Sequence, residues 1–115
     1  MAEACVLFNP NCSKCRGARD ILAEKSVDAE YVEYLDEPPT RADLERYMSL
    51  LGIDDPRQMM RTGESVYREL GLAEADSDRL LEAITENPIL LERPIVIVGD
   101  RAVIARPPEK LLDLL

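Results

Sequence analysis

The chain has 115 residues, 23 acidic and 14 basic, with a formal net charge of −9 and no histidine. This length can bury a real core without metal or disulfide staples, and 46% hydrophobic with 32% charged residues describes a globular protein rather than a disordered tail. The acidic balance excludes general nucleic-acid binding, which needs a basic surface, and the missing imidazole excludes His-based triads, His metal ligands and imidazole acid–base chemistry.

Met1-Ala2-Glu3-Ala4 has no basic segment and leads into only a short apolar run, unlike a signal peptide. No run approaches the roughly 18 apolar residues of a membrane span. The three cysteines, Cys5, Cys12 and Cys15, are an odd number crowded near the start, a poor framework for a secreted disulfide scaffold. A cytoplasmic protein is expected.

Ala4 to Phe8 is apolar and β-favouring and stops at Asn9-Pro10-Asn11, which predicts a buried strand and a loop. From Ser13 the spacing of Ala18, Ile21 and Leu22 predicts an amphipathic helix. Ala29 to Leu35 alternates as a second strand before Asp36-Glu37-Pro38-Pro39. So short a βαβ crossover favours parallel pairing.

Thr40 with Asp43 resembles a capping box, and Leu44, Tyr47, Met48 and Leu51 give the buried stripe of a helix ending at Gly52. Asp55-Pro56 starts a short helix ending at Thr62-Gly63, and Val66 to Leu70 adds a turn or two. Ser77 is the predicted cap of a helix running to about Asn87. Ile95 to Val98 and Val103 to Ala105 read as strands joined by a tight Gly99-Asp100 turn, with a terminal amphipathic helix over Glu109 to Leu115. The order βαβ, helices, ββα predicts one α/β domain with a thioredoxin-like fold and a helical insertion over about 40–92.

The sharpest chemical feature is Asn9-Pro10-Asn11-Cys12-Ser13-Lys14-Cys15-Arg16-Gly17-Ala18-Arg19. Cys12 falls at a predicted helix start, where unpaired N–H groups and the helix dipole favour a thiolate or a bound oxyanion. Lys14, Arg16 and Arg19 add positive charge, and such surroundings bring a thiol from about 8.5 towards 3.5–7.5. Cys12 is the candidate nucleophile. Structural zinc fails for want of ligands, because only Cys5 could be a third and there is no histidine. A tyrosine-phosphatase-type loop fails because position 18, where it needs arginine, is alanine. Cys5 reads as a small buried hydrophobe. Cys15, one turn beyond Cys12, is either a resolving thiol that closes a Cys12–Cys15 disulfide or a small helix residue facing the core. Arg61, Arg93 and Arg106 precede or follow apolar or proline segments, and their guanidinium forks suit tetrahedral oxyanions.

Asn9-Pro10-x-Cys12, Pro38-Pro39-Thr40-Arg41, Met60-Arg61, Glu69-Leu70-Gly71-Leu72, Asn87-Pro88-Ile89-Leu90-Leu91-Glu92-Arg93-Pro94-Ile95-Val96 and Arg106-Pro107-Pro108-Glu109 follow in an order that resembles the glutaredoxin-coupled arsenate reductase family over nearly the whole chain. The resemblance implies a thioredoxin-like fold with a helical insertion, Cys12 as nucleophile, Arg61, Arg93 and Arg106 as oxyanion ligands, and a cis peptide at Pro94. It implies attack of Cys12 on arsenate or a similar oxyanion, glutathione as co-substrate without a bound cofactor, and glutaredoxin or, through Cys15, thioredoxin as reductant. A monomer without nucleic-acid or membrane partners is expected. Phe8 stands where family members often carry histidine, and Cys15 where many have a small residue. These departures also resemble Spx-type redox-switch regulators that bind RNA polymerase, and leave room for a paralogous thiol oxidoreductase without arsenate activity.

Overall fold

The computed structural model describes residues 3–115; Met1 and Ala2, the start of the segment read as unlike a signal peptide, lie outside the described residues. The described residues form two compact units, 3–37 with 93–115, and 38–92.

The first unit is built on a four-stranded sheet in the order β2-β1-β3-β4, from β1 (Ala4–Leu7), β2 (Ala29–Val32), β3 (Ile95–Val98) and β4 (Arg101–Ile104). β1 pairs parallel with β2 and antiparallel with β3, and β3 and β4 form an antiparallel hairpin. Helix α1 (Ser13–Glu24) makes the β1–β2 crossover. This is the thioredoxin-like topology. The parallel pairing and the two-residue Gly99-Asp100 turn match the sequence reading, with Gly99 at φ 62°, a conformation that costs glycine little.

Val6 and Val96 from the sheet meet Ala18 and Leu22 from α1 and Leu111 from the C-terminus in one buried cluster that also holds Phe8, Cys12 and Cys15. Fully burying a Val or Leu side chain stabilises by roughly 1.5–3 kcal/mol, so this cluster fixes the face of α1 that carries both cysteines. Gly17 lets α1 lie close to the C-terminal segment: a Cβ there would stand 2.8 Å from Pro108 Cγ.

Boundaries in this unit differ from expectation at several places, and β1 stops at Leu7 rather than Phe8. β2 ends at Val32 rather than Leu35, because the chain turns back through residues 33–36, with Asp36 N–H donating to the Glu33 carbonyl. β4 begins at Arg101 and ends at Ile104, since pairing propagates from the tight turn. The terminal helix is 3-10 over Pro108–Leu114 rather than α, following Pro107, and it buries Pro108 and Leu111.

The second unit is helical: α2 (Arg41–Leu51), α3 (Ser65–Glu69) and α4 (Ser77–Glu86), with short 3-10 turns at Pro56–Met59, Leu72–Glu74 and Pro88–Leu90. The Thr40/Asp43 capping box is formed in both directions, and Gly52 ends α2 in the left-handed region. Leu44 and Tyr47 are the buried residues of α2, whereas Met48 and Leu51 are only half-buried. The Asp55-Pro56 start yields a 3-10 turn that stops at Met59, because Met60 turns extended and bridges Leu91. Helix α4 is capped by Asp76, not Ser77: the Asp76 carboxylate accepts from the Arg79 N–H. Arg57, unremarked in the sequence, donates from Nη2 to the carbonyls of Leu72, Ala73 and Ala75 at 2.8, 3.1 and 2.7 Å and from Nε to Tyr67 Oη at 3.2 Å.

Candidate active site

The sheet register decides what surrounds Cys12. Leu7 pairs with Ile95 and, on the other side, with Val32. Continuing those lines past the strand ends runs Arg93 and Pro94 beside the Phe8–Asn11 loop, while the chain after β2 reaches Tyr34 two residues on. Asn9 shapes the loop: its Oδ1 accepts from the Asn11 N–H at 2.9 Å and its carbonyl accepts from the Cys12 N–H at 3.0 Å. Cys12 is thereby set at the N-cap of α1 with extended φ/ψ (−102°, 122°), and it is buried.

Burial pushes the Cys12 thiol up, but the N–H of Cys15, the Arg93 guanidinium, the Cys15 thiol and the N–H of Lys14 together outweigh it and bring the pKa from 9.0 down to about 7. Donors that stabilise the charged form lower an acid's pKa. This corrects one expectation. The leading cation is Arg93, from the far end of the sequence, rather than the neighbouring Lys14, Arg16 and Arg19, whose side chains are exposed. Arg16 Nη1 instead donates to the Pro10 carbonyl at 3.2 Å, and Arg19 lies 5.7 Å from the centre of the Phe8 ring and 3.8 Å from Asp20 Oδ1.

Cys15 is fully buried one turn on. Burial pushes its thiol up, and the neighbouring Cys12 adds to this, taking it to about 12. It is therefore a neutral thiol at physiological pH, aimed at the Cys12 sulfur. Both cysteines, like the half-buried Cys5, are unbridged.

Arg93 and Arg106 are brought together: Arg106 Nη1 donates to the Arg93 carbonyl at 2.9 Å. The Arg93–Pro94 peptide is cis, and so is Arg106–Pro107, which the sequence reading did not anticipate. Arg61 belongs to the other unit. There its N–H donates to the Leu90 carbonyl, its Nε to Glu64 Oε1 at 2.9 Å and its Nη1 to Glu92 Oε1 at 3.5 Å. Phe8, at the position where the resemblance leads one to look for histidine, is buried and meets Tyr31 edge-on with centroids 5.3 Å apart.

One residue of this site was read from the sequence without a role, and one escaped it. Asn9 stood there only as part of the Asn-Pro pair at the strand end. Tyr34 had no signal, because it looked like one more position of strand alternation. It is fully buried, with its hydroxyl against the Arg93 guanidinium. Among the described residues no group of His, Cys, Asp or Glu could hold a metal ion, and no helix is long and apolar enough to cross a membrane.

A mixed sheet in this order, with an acidified cysteine capping the first helix and Arg93 acting on it, defines a thioredoxin-like protein with a cysteine site. The ArsC family matches residues 7–114, and the chain belongs to that family. It is 43% identical over 113 residues to the arsenate reductase of Neisseria meningitidis serogroup A, covering 96% of this chain and 97% of that protein. It is 40% identical over 111 residues to the uncharacterized protein YfgD of Escherichia coli K12, covering 95% and 93%. Among solved structures it is similar to the arsenate reductase from Vibrio cholerae, at 35% identity and a TM-score of 0.96 over 99% of this chain and 98% of that one.

Proposed function

We propose that this chain is a thiol-dependent oxidoreductase that reduces arsenate to arsenite through Cys12. The observation that carries the reading is the Cys12 thiol at the start of α1, brought down to about 7 beside Arg93. Similarity to proteins named arsenate reductase supports the substrate.

The Cys12 thiolate attacks arsenic, and one arsenate oxygen leaves as water after protonation, giving a Cys12–S–As(V) adduct. Arg93 and Arg106 supply guanidinium forks to the anion, and the N–H groups opening α1 add positive potential. Arg61 is the third ligand that the family resemblance implies. A second thiol then attacks the Cys12 sulfur, the S–As electron pair stays on arsenic, and arsenite leaves. Two thiols become one disulfide as arsenic gains two electrons. Glutaredoxin or thioredoxin reduces that disulfide.

Cys15 is the second thiol this geometry favours. While Cys12 is charged, that charge helps keep Cys15 protonated. Forming the adduct moves the charge off the Cys12 sulfur onto arsenate oxygens that face the guanidinium groups, so the sulfur no longer repels an attacking thiolate. Glutathione takes the same role when Cys15 does not.

The test is arsenate-dependent NADPH oxidation by the purified protein with the thioredoxin system and, separately, with glutathione and glutaredoxin. Cys12→Ser should abolish turnover with either. Cys15→Ser should abolish the thioredoxin-coupled rate and spare the glutathione-coupled one. No arsenate dependence with either system would sink the reading. Unchanged thioredoxin-coupled turnover in Cys15→Ser would leave Cys15 as a core residue only.

A further inference from the structure

The Tyr34 hydroxyl is a buried polar atom with no hydrogen-bond partner among the described residues, and so are Nε and Nη1 of Arg93. Buried polar groups are nearly always partnered, so three orphans in one place call for an account. They are not independent. The Tyr34 hydroxyl and the Arg93 guanidinium lie close enough to perturb one another, and Arg93 in turn acts on the Cys12 sulfur. Tyr34 follows β2 and Arg93 precedes β3, on opposite sides of β1, so they approach each other across the loop that carries Cys12.

We propose that Tyr34 is a positioning residue: its buried hydroxyl is the seat against which the Arg93 guanidinium is turned towards the Cys12 sulfur and the oxyanion. The inference rests on the thiolate reading of Cys12 given above.

The chemistry is one-directional. Guanidinium only donates, so a hydroxyl oxygen facing it accepts. Burial pushes the Tyr34 hydroxyl up, with Arg93 opposing, so it stays neutral and adds no competing anion. A carboxylate at this place would hold Arg93 more tightly and spend its charge; a neutral oxygen orients the cation and leaves its charge for Cys12. The other groups facing Cys12 are Cys15 and the Lys14 N–H from α1 and Asn9 from the preceding loop. None of them can aim Arg93.

Tyr34→Phe removes one oxygen and keeps the buried ring, so the core packing and the fold should stand. The measurement is the pH dependence of Cys12 alkylation by iodoacetamide, with the adduct located by mass spectrometry. It is made on wild type, Tyr34→Phe, Arg93→Gln and the double variant. The wild-type midpoint is expected near 7, and Tyr34→Phe should raise it by about half to one unit, so that alkylation at pH 6 slows by about three- to tenfold. In the Arg93→Gln background, Tyr34→Phe should add nothing, because the path through the guanidinium is gone.

A folded Tyr34→Phe protein with a wild-type midpoint overturns the proposal. So does an equal shift in both backgrounds, which would mean that the hydroxyl acts without Arg93, and so does failure of Tyr34→Phe to fold, which would make Tyr34 a core residue. A wild-type Cys12 with an ordinary thiol midpoint and no arsenate turnover would remove the thiolate reading itself. A low wild-type midpoint unmoved by Tyr34→Phe removes only the inference about Tyr34.

Discussion

Cys12 and Cys15 are three residues apart, yet their thiols move in opposite directions, to about 7 and about 12. The cause is position on the helix. Cys12 caps α1, where the N–H groups of Lys14 and Cys15 are free to face an anion, and Arg93 arrives from the far side. Cys15 lies a turn inside the core cluster, where burial penalises charge and the Cys12 thiolate repels a second one. Thiol reactivity at Cys12 should therefore climb about tenfold per pH unit below 7 and level off by about pH 8. The same shift has a stability consequence. Between about 7 and 9 the unfolded chain still binds the proton that native Cys12 has lost, so native stability should rise with pH across that window. It is fully present above 9 and lost as pH falls through 7. Thermal melts from pH 6.5 to 9 should show Tm rising in the wild type relative to Cys12→Ser. Parallel curves would mean that Cys12 titrates natively as it does unfolded.

Helix starts in this chain are set by single side chains, and the choice among neighbours is decided by backbone geometry. Asp76 and Ser77 are both good caps by residue type. Asp76 takes the extended φ/ψ of an N-cap (−81°, 174°) and accepts from the Arg79 N–H, while Ser77 is already the first helical residue. Asp76→Ala should cost about 1 kcal/mol in urea denaturation, and Ser77→Ala well under half of that. The reverse order would return the cap to Ser77. The same contrast explains what could be read from the residues beforehand. Thr40 with Asp43 was legible because both halves of the capping box are local. The apolar runs of β1 and β3 were legible from composition, and Cys12 from its place between a strand and a helix. The early end of β2 was not, because Tyr34 continues the alternation while the backbone has already turned. The Arg93–Cys12 and Arg93–Tyr34 approaches were not legible from spacing either. They depend on β1 pairing with a strand some 90 residues away. The terminal segment's amphipathic pattern suits either helix type, and only its backbone shows it to be 3-10.

At the scale of the whole molecule, a net charge of −9 opposes the approach of an anion, while Arg93 and the start of α1 favour it at the sulfur. Distance and screening decide between them. The acidic excess is spread over 115 residues, whereas Arg93 acts directly on the Cys12 sulfur. Fields reach about 30 Å at 0.01 M salt but only about 8 Å at 0.15 M. Salt should therefore silence the remote carboxylates and leave the contact cations nearly untouched, because buried pairs are screened least. Two alkylating agents separate these terms, because iodoacetate is anionic and iodoacetamide is neutral. Their rate ratio at Cys12, taken at one pH, cancels the thiolate fraction and reports only the potential at the sulfur. Raising salt from about 0.01 to 0.15 M should increase the iodoacetate-to-iodoacetamide ratio by about two- to threefold as the global repulsion fades. A ratio that falls would mean that the local cations dominate even at low salt, and that they are exposed enough to be screened. The Arg93→Gln protein supplies the control: with the contact cation gone, the ratio should be lower at 0.15 M and should still rise with salt, because the distant carboxylates are unchanged.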